Sequence, residues 1–322
     1  MKRLIMILAV LVAWPTAGQA ALDGMPGAFG SGGTVQVTAV LFADVSTFQA
    51  GVPFNVGVLF SIKPGLHIYW QNPGDGGIGT RVKFTVPAGY TISTPRFSVP
   101  RTFILPGDIR NFGYEGSAMV MATVTPSAGA KDAARIDVSA DWLACDSQEC
   151  TPGSASMNVT IPIGKATADA GSAAIFKQWA NRMPAADSTS SPRADGPVKS
   201  LAWIARPAVG KLPWEGTYSF TVDWKKTPNV VEWYPNPGEN VLVKDVTLTT
   251  RGSTTTVKFT VSANAQADAR AISFSSVLAY EDDAGRRGAI VDVKPDDLAG
   301  DAATNVGAAT KPAAGSASGS GR

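Results

Sequence analysis

Only two cysteines occur in the 322 residues, within Asp141-Trp142-Leu143-Ala144-Cys145-Asp146-Ser147-Gln148-Glu149-Cys150-Thr151-Pro152-Gly153. Thiols at this spacing have three chemistries open to them: a fixed staple, a redox pair, or a thiolate site for copper(I) or zinc. Cys145 and Cys150 can bring their Cα atoms within about 7 Å only if the chain turns back, as at a strand end or hairpin. As a staple, so short a loop contributes about 2 kcal/mol in the chain-entropy account, against about 4 to 5 kcal/mol for a loop of a hundred residues. A sandwich of roughly 130 residues can build a core without staples, so the spacing leaves staple and exchange site both open. Tetrahedral zinc needs about two more N or S ligands. His67 is the only histidine, and no methionine cluster stands beside the cysteines. Asp141, Asp146 and Glu149 place negative charge around the pair, which disfavours a thiolate and suits a pair that exchanges only with a docked partner.

The elements that must hold this pair are strands. Apolar and polar residues alternate with period two at Phe54, Val56, Val58, Phe60 and Ile62, at Val82, Phe84 and Val86, at Ile136, Val138, Ala140 and Trp142, and at Met157, Val159, Ile161 and Ile163. Lys63-Pro64-Gly65, Asn72–Gly77, Pro87-Ala88-Gly89 and Thr151-Pro152-Gly153 supply turns between them. Residues 166–199 shift toward Ala, Ser, Asp and Pro and read as a linker, with one short helix near Ala173–Met183. The pattern resumes at Tyr218, Phe220, Val222 and Trp224, at Val246 and Leu248, at Val257, Phe259 and Val261, and at Ile272 and Phe274. The fold expected is all-β, two antiparallel β-sandwich domains in tandem over 34–165 and 200–297.

Met1-Lys2-Arg3, an apolar run from Leu4 to Trp14 and the exit Gly18-Gln19-Ala20 read as a signal peptide over 1–20. The mature chain is then expected outside the cytoplasm and soluble, with no later run approaching the roughly 18 apolar residues of a membrane helix. Residues 298–322, rich in Ala, Gly and Ser, read as a disordered tail. The formal charge of +2 is nearly balanced and its cations are scattered, which gives no electrostatic support to nucleic-acid or membrane-surface binding.

Three stretches in order, Gly65–Asp75 (Gly-Leu-His-Ile-Tyr-Trp-Gln-Asn-Pro-Gly-Asp), Asn111–Gly116 (Asn-Phe-Gly-Tyr-Glu-Gly) and Asp141–Pro152 with its cysteines, resemble the N-terminal domain family of the thiol:disulfide interchange protein DsbD. The likeness covers about 34–165 and is weaker beyond. It implies an immunoglobulin-like sandwich whose pair, Cys145 and Cys150, passes electrons to or from thioredoxin-like periplasmic oxidoreductases. It also implies a loop whose aromatic residue caps the disulfide until a partner docks. That cap falls within Arg101–Gly113, with Phe103 or Phe112 as the aromatic, and Tyr114 and Glu115 order the loop beside the cysteines. The exposed attacking role in the reduced form falls to Cys150. Leu66 and Gln71 depart from the Trp and Arg frequent in the family. Fuller relatives append a membrane electron carrier and a thioredoxin-like domain, so a separate membrane electron donor is the expected source of reducing equivalents here.

Other members of the motifs have plainer readings. A lone histidine at a strand start, His67, is packed or capping more often than it is a ligand or base. Asn72–Gly77 lacks the Lys-Ser/Thr ending of a phosphate loop and reads as a turn, so no cofactor site is expected. Trp142 reads as core. Two functions follow: a thiol–disulfide exchange domain, or a non-catalytic interaction module with a structural disulfide.

Overall fold

The computed structural model describes residues 36–185, 198–208, 210–268, 272–283 and 285–295. The expected signal peptide and tail lie outside the described residues. In chain order the first elements are β1 (Val37–Ala43), β2 (Val45–Thr47), β3 (Phe54–Ile62), β4 (His67–Gly74), β5 (Arg81–Thr85), β6 (Tyr90–Ile92) and β7 (Arg96–Phe97). They continue with β8 (Arg101–Leu105), β9 (Ile109–Glu115), β10 (Ser117–Pro126), β11 (Ala134–Cys145), β12 (Cys150–Ile161), β13 (Thr167–Ala168) and α1 (Ala170–Ala180). Then come β14 (Val198–Ala205), β15 (Trp214–Trp224), β16 (Val230–Pro235), β17 (Val241–Arg251), β18 (Thr254–Ala263), β19 (Phe274–Asp282) and β20 (Gly285–Val293). The chain is all but entirely β, in antiparallel sheets, as its alternation requires.

Two compact units share these elements. The first holds the described residues through 185 together with Asn229–Tyr234 and Val277–Ile290. Its five-stranded sheet runs β1-β3-β10-β6, with β7 also on β10, and its six-stranded sheet runs β12-β11-β4-β9-β8, with β5 also on β11. Period two sends Val56, Val58 and Phe60 of β3 and Ile136, Val138 and Trp142 of β11 into one core, where Phe60 meets Trp142 edge-on at 5.5 Å. Each such side chain, fully buried, stabilises the fold by about 1.5–3 kcal/mol.

Two features of this unit refine the reading of the sequence. Residues through 185 of the stretch read as linker carry β13 and α1, and α1 is the helix expected near Ala173–Met183. Asp169 caps the helix by accepting the Ser172 N–H at 2.8 Å. Phe176 and Trp179 of α1, with Met183 just beyond its end, pack with Phe42, Met119 and Met121 on the outer side of the five-stranded sheet. In addition, Tyr234, Val277 and Ala279, which fall within the expected second sandwich, are buried in the first core. Alternation reports that a strand buries one face, but it is silent on which core receives it.

The second unit has the sheet β14-β15-β18-β17. Tyr218, Phe220 and Val222 of β15 and Val257, Phe259 and Val261 of β18 are fully buried. The Tyr218 and Phe259 rings stack at 5.3 Å.

Candidate functional site

β11 and β12 form an unbroken antiparallel ladder from Ala134↔Ile161 to Cys145↔Cys150. Because the cysteines are the last cross-strand pair, their Cα atoms stand 4.1 Å apart and their sulfurs are bonded. The residues between them make the turn. The Asp146 N–H donates to Glu149 O at 3.0 Å, and Asp146 Oδ1 accepts the N–H groups of Gln148 and Glu149 at 2.7 and 2.9 Å. Those two donors hold the Asp146 carboxyl below its ordinary range, so it is ionised at neutral pH.

β4 places the next groups. Cys145 pairs with His67 and Ala144 with Ile68. Alternation along β4 then puts His67 and Tyr69 on the cysteine face, while Ile68 and Trp70 enter the core. The Tyr69 hydroxyl donates to Cys145 Sγ at 3.4 Å. Burial raises the Tyr69 pKa, which keeps the hydroxyl protonated and able to donate. Its strand is fixed by Thr80, whose hydroxyl donates to Tyr69 O at 2.6 Å. Its ring is covered by Gly77, where φ is +93° and a Cβ would fall 2.4 Å from the ring.

The two sulfurs differ in environment. Cys145 is 1% exposed, whereas Cys150 is exposed.

His67 is buried, with its ring edge-on to Tyr69 at 5.3 Å and stacked on Phe103 at 5.1 Å. Its Nε2 has no hydrogen-bond partner. Burial lowers its pKa, against the opposing pull of Glu115 and Asp146, so the ring is neutral at neutral pH. Phe103 belongs to the β8–β9 hairpin, paired from Arg101↔Gly113 to Leu105↔Ile109. The hairpin joins β4 at His67↔Glu115, Ile68↔Tyr114 and Tyr69↔Gly113, beyond which the register shifts. A Cβ on Gly113 would lie 2.2 Å from Ile68 O, so glycine is what allows this close approach. Near its tip the hairpin is clipped to the Asn72–Gly77 turn. Asp75 N–H donates to Arg110 O, and Arg110 N–H to Asp75 Oδ2, each at 2.8 Å.

Each residue expected at the site has a definite place. Phe103 stacks on His67, the cross-strand neighbour of Cys145, on the cysteine face. Phe112 points the other way and meets Tyr234 edge-on at 4.9 Å. Tyr114 is buried behind the site and donates to Ser98 O at 2.6 Å. Glu115, exposed, stands opposite His67. Tyr69, which sequence reasoning did not assign to the site, is the side chain that touches a sulfur. Its alternation with His67 was visible, but the pairing of β4 with the cysteine strand was not. Among the described residues no group of three His, Cys, Asp or Glu side chains is placed to hold a metal ion, and no helix is long and apolar enough to cross a membrane.

Residues 37–162 match the family described as thiol:disulfide interchange protein DsbD, N-terminal. The match is to this segment and does not extend over the rest of the chain. Every residue of the site described above lies inside it. The crystal structure of the N-terminal periplasmic domain of ScsB from Proteus mirabilis aligns with a TM-score of 0.55 at 17% identity, covering 81% of this chain and 95% of that one. At that identity the likeness is one of fold, and it extends well past the DsbD N-terminal segment. The Neisseria meningitidis DsbD N-terminal domain in its reduced form aligns at 15% identity over 39% of this chain and 90% of that one, with a TM-score of 0.26. No curated protein sequence matches the chain.

Proposed function

We propose that this protein is a periplasmic thiol–disulfide exchange domain, which relays electrons through Cys145 and Cys150 to or from thioredoxin-like oxidoreductases. A separate membrane electron donor supplies the reducing equivalents. The observation that carries the reading is the asymmetry of the bridge: Cys150 is exposed, while Cys145 is buried with the Tyr69 hydroxyl on its sulfur. The DsbD N-terminal family supports the reaction class, and the periplasmic ScsB domain supports the compartment.

In the reductive direction a partner thiolate attacks Cys150 Sγ. A bond forms between the partner sulfur and Cys150, the Cys145–Cys150 bond breaks, and its electron pair leaves on Cys145 as a thiolate. The Tyr69 hydroxyl hydrogen bond stabilises that thiolate, and a better-stabilised leaving thiolate departs faster. The partner's second thiolate then attacks its own sulfur in the mixed disulfide and releases Cys150. The partner ends as a disulfide and this domain as a dithiol, a two-electron exchange that balances. Run backward, the Cys150 thiolate attacks a partner disulfide and Cys145 resolves the intermediate. Asp146 and Glu149 keep free thiolate scarce between encounters.

Equilibration with glutathione tests the reading. An exchanging pair has a reduction potential above about −300 mV, whereas a structural bridge falls below that value. A potential below it, together with no reduction by thioredoxin, would return the protein to the class of interaction modules with a staple.

A further inference from the structure

The β8–β9 hairpin has one face toward the disulfide and one away from it, and the far face is held by residues from outside the DsbD N-terminal segment. Thr102 and Phe112 are cross-strand partners, so their side chains share that far face. The Thr102 hydroxyl donates to Tyr234 Oη at 3.2 Å, and the Phe112 ring meets the Tyr234 ring at 4.9 Å. Tyr234 is fully buried, and its ring also meets Trp70, the neighbour of Tyr69 on β4, at 6.1 Å. Arg286, with a side chain only 10% exposed, completes the arrangement. Its Nε and Nη2 donate to Pro100 O, directly before β8, at 2.9 and 2.7 Å. Nη2 also reaches Tyr234 Oη at 2.7 Å and Glu232 Oε2 at 2.5 Å. A planar guanidinium suits this task, because it serves several acceptors from one rigid fork.

We propose that Arg286 and Tyr234 are positioning residues for disulfide exchange: they clamp the root of the β8–β9 hairpin, which fixes Phe103 over His67 and presents the hairpin tip to the incoming protein. The hairpin needs such a clamp. β8 is the edge of the six-stranded sheet, and β9 holds β4 through few regular pairs. Its tip carries Ile104 and Ile109, which are 57% and 41% exposed, on the strand pair next to the cysteine strands' neighbour β4. An apolar tip held in place lowers the ordering cost of docking a protein. A small thiol attacking exposed Cys150 makes no use of that tip.

The inference rests on the exchange reading, and the test separates the two. Tyr234→Phe is the lead variant, since it keeps the ring packing and removes the acceptor shared by Arg286 and Thr102. Thr102→Val removes one bond from the hairpin side. Arg286→Leu is the more disruptive change, because it leaves Glu232 without that partner, and Arg286→Lys keeps charge without the fork. Backbone amide exchange over residues 101–113 is expected to rise about tenfold in Tyr234→Phe, the equivalent of one hydrogen bond, with the β11–β12 amides unchanged. Reduction of the oxidised protein by reduced thioredoxin should slow several-fold, while reduction by dithiothreitol and the equilibrium potential stay as in the parent. Arg286→Lys should fall between the parent and Arg286→Leu. Hairpin amides that exchange as in the parent would overturn the clamp, as would thioredoxin and dithiothreitol rates that shift together. A parent protein inert to both reductants sinks the exchange reading instead, and the amide measurement still decides the clamp.

Discussion

The hairpin of β11 and β12 keeps its register from Ala134↔Ile161 to the cysteines at its end, and the carboxylate of Asp146 locks its turn. The hairpin of β8 and β9, in the same sheet, is short, lies at the edge and is held by side chains at both ends: Asp75 near the tip, and Tyr234 and Arg286 at the root. Backbone ladder fixes the one, and removable contacts fix the other. The bonded sulfurs sit on the first, where the ladder fixes their geometry. The ring of Phe103, stacked on His67, sits on the second, where a few side-chain contacts decide its position. On the proposed exchange reading, chemistry and access fall to different parts of one sheet.

The largest expected effect comes from removing the reacting pair. Replacing Cys145 and Cys150 together with Ser should abolish exchange with thioredoxin. The same change should cost no more than about 2 kcal/mol in urea denaturation, because the closed loop is short and the ladder remains. A markedly larger stability loss would mean that the ladder needs the bond, which erases the contrast between the two hairpins. Next in size is Tyr69→Phe, which deletes the donor to Cys145 Sγ. A hydrogen bond to a charged sulfur is worth about 1.5 kcal/mol, so thioredoxin-driven reduction should slow about tenfold, read by stopped-flow fluorescence. An unchanged rate would show that Cys145 leaves without help from Tyr69.

A smaller effect is expected from pH. Unfolded, His67 titrates near its ordinary value of about 6.5, whereas burial makes the folded ring bind its proton less tightly, despite Glu115 and Asp146. The unfolded chain therefore binds more protons between the two values, and stability falls as pH drops below about 6.5 until the folded value is passed. Above that window the contribution is fully present. Comparing urea midpoints of the parent and His67→Phe across pH 5 to 7.5 checks this, and a parent slope that survives the substitution would assign it to another group. The smallest effect concerns the turn carboxylates. Replacing Asp146 and Glu149 with Asn and Gln should speed alkylation of the reduced pair by iodoacetamide a few-fold near neutral pH, since negative charge opposes thiolate formation. A rate that stays low would assign the restraint to burial of Cys145.

The first hairpin was readable in the sequence except at its turn: Thr151-Pro152-Gly153, read as a turn, lies in the β12 ladder, and Asp146–Glu149 make the turn instead. Alternation from Ile136 to Trp142 and from Met157 to Ile161 placed two strands. A bond between the cysteines was possible only if the chain turned back between them, and the DsbD-like motifs marked the pair. The second hairpin was only half readable. Its motif was visible as Asn111–Gly116, and Phe103 and Phe112 were both candidates for the cap. Which ring faces the disulfide depends on strand parity and on what lies behind β9, and no local pattern carries either. Tyr234 and Arg286 lie more than a hundred residues further along the chain, in strands whose alternation gave no sign of which core they join. Tyr69 escaped notice for a related reason, because a tyrosine on a half-buried strand becomes a sulfur ligand only once the neighbouring strand is known.

The difference between the two sulfurs is what the account depends on most, and it can be measured directly. Cys145→Ser and Cys150→Ser each leave a single thiol, and each reduced variant can be mixed with thioredoxin whose active-site cysteine carries a 5-thio-2-nitrobenzoate leaving group. Release of the coloured thiolate then reports formation of the mixed disulfide. Cys145→Ser, which retains the exposed Cys150, should form it at least about tenfold faster than Cys150→Ser, which retains the buried Cys145. Equal rates, or faster reaction at Cys145, would contradict the assignment of Cys150 as the sulfur that meets the partner.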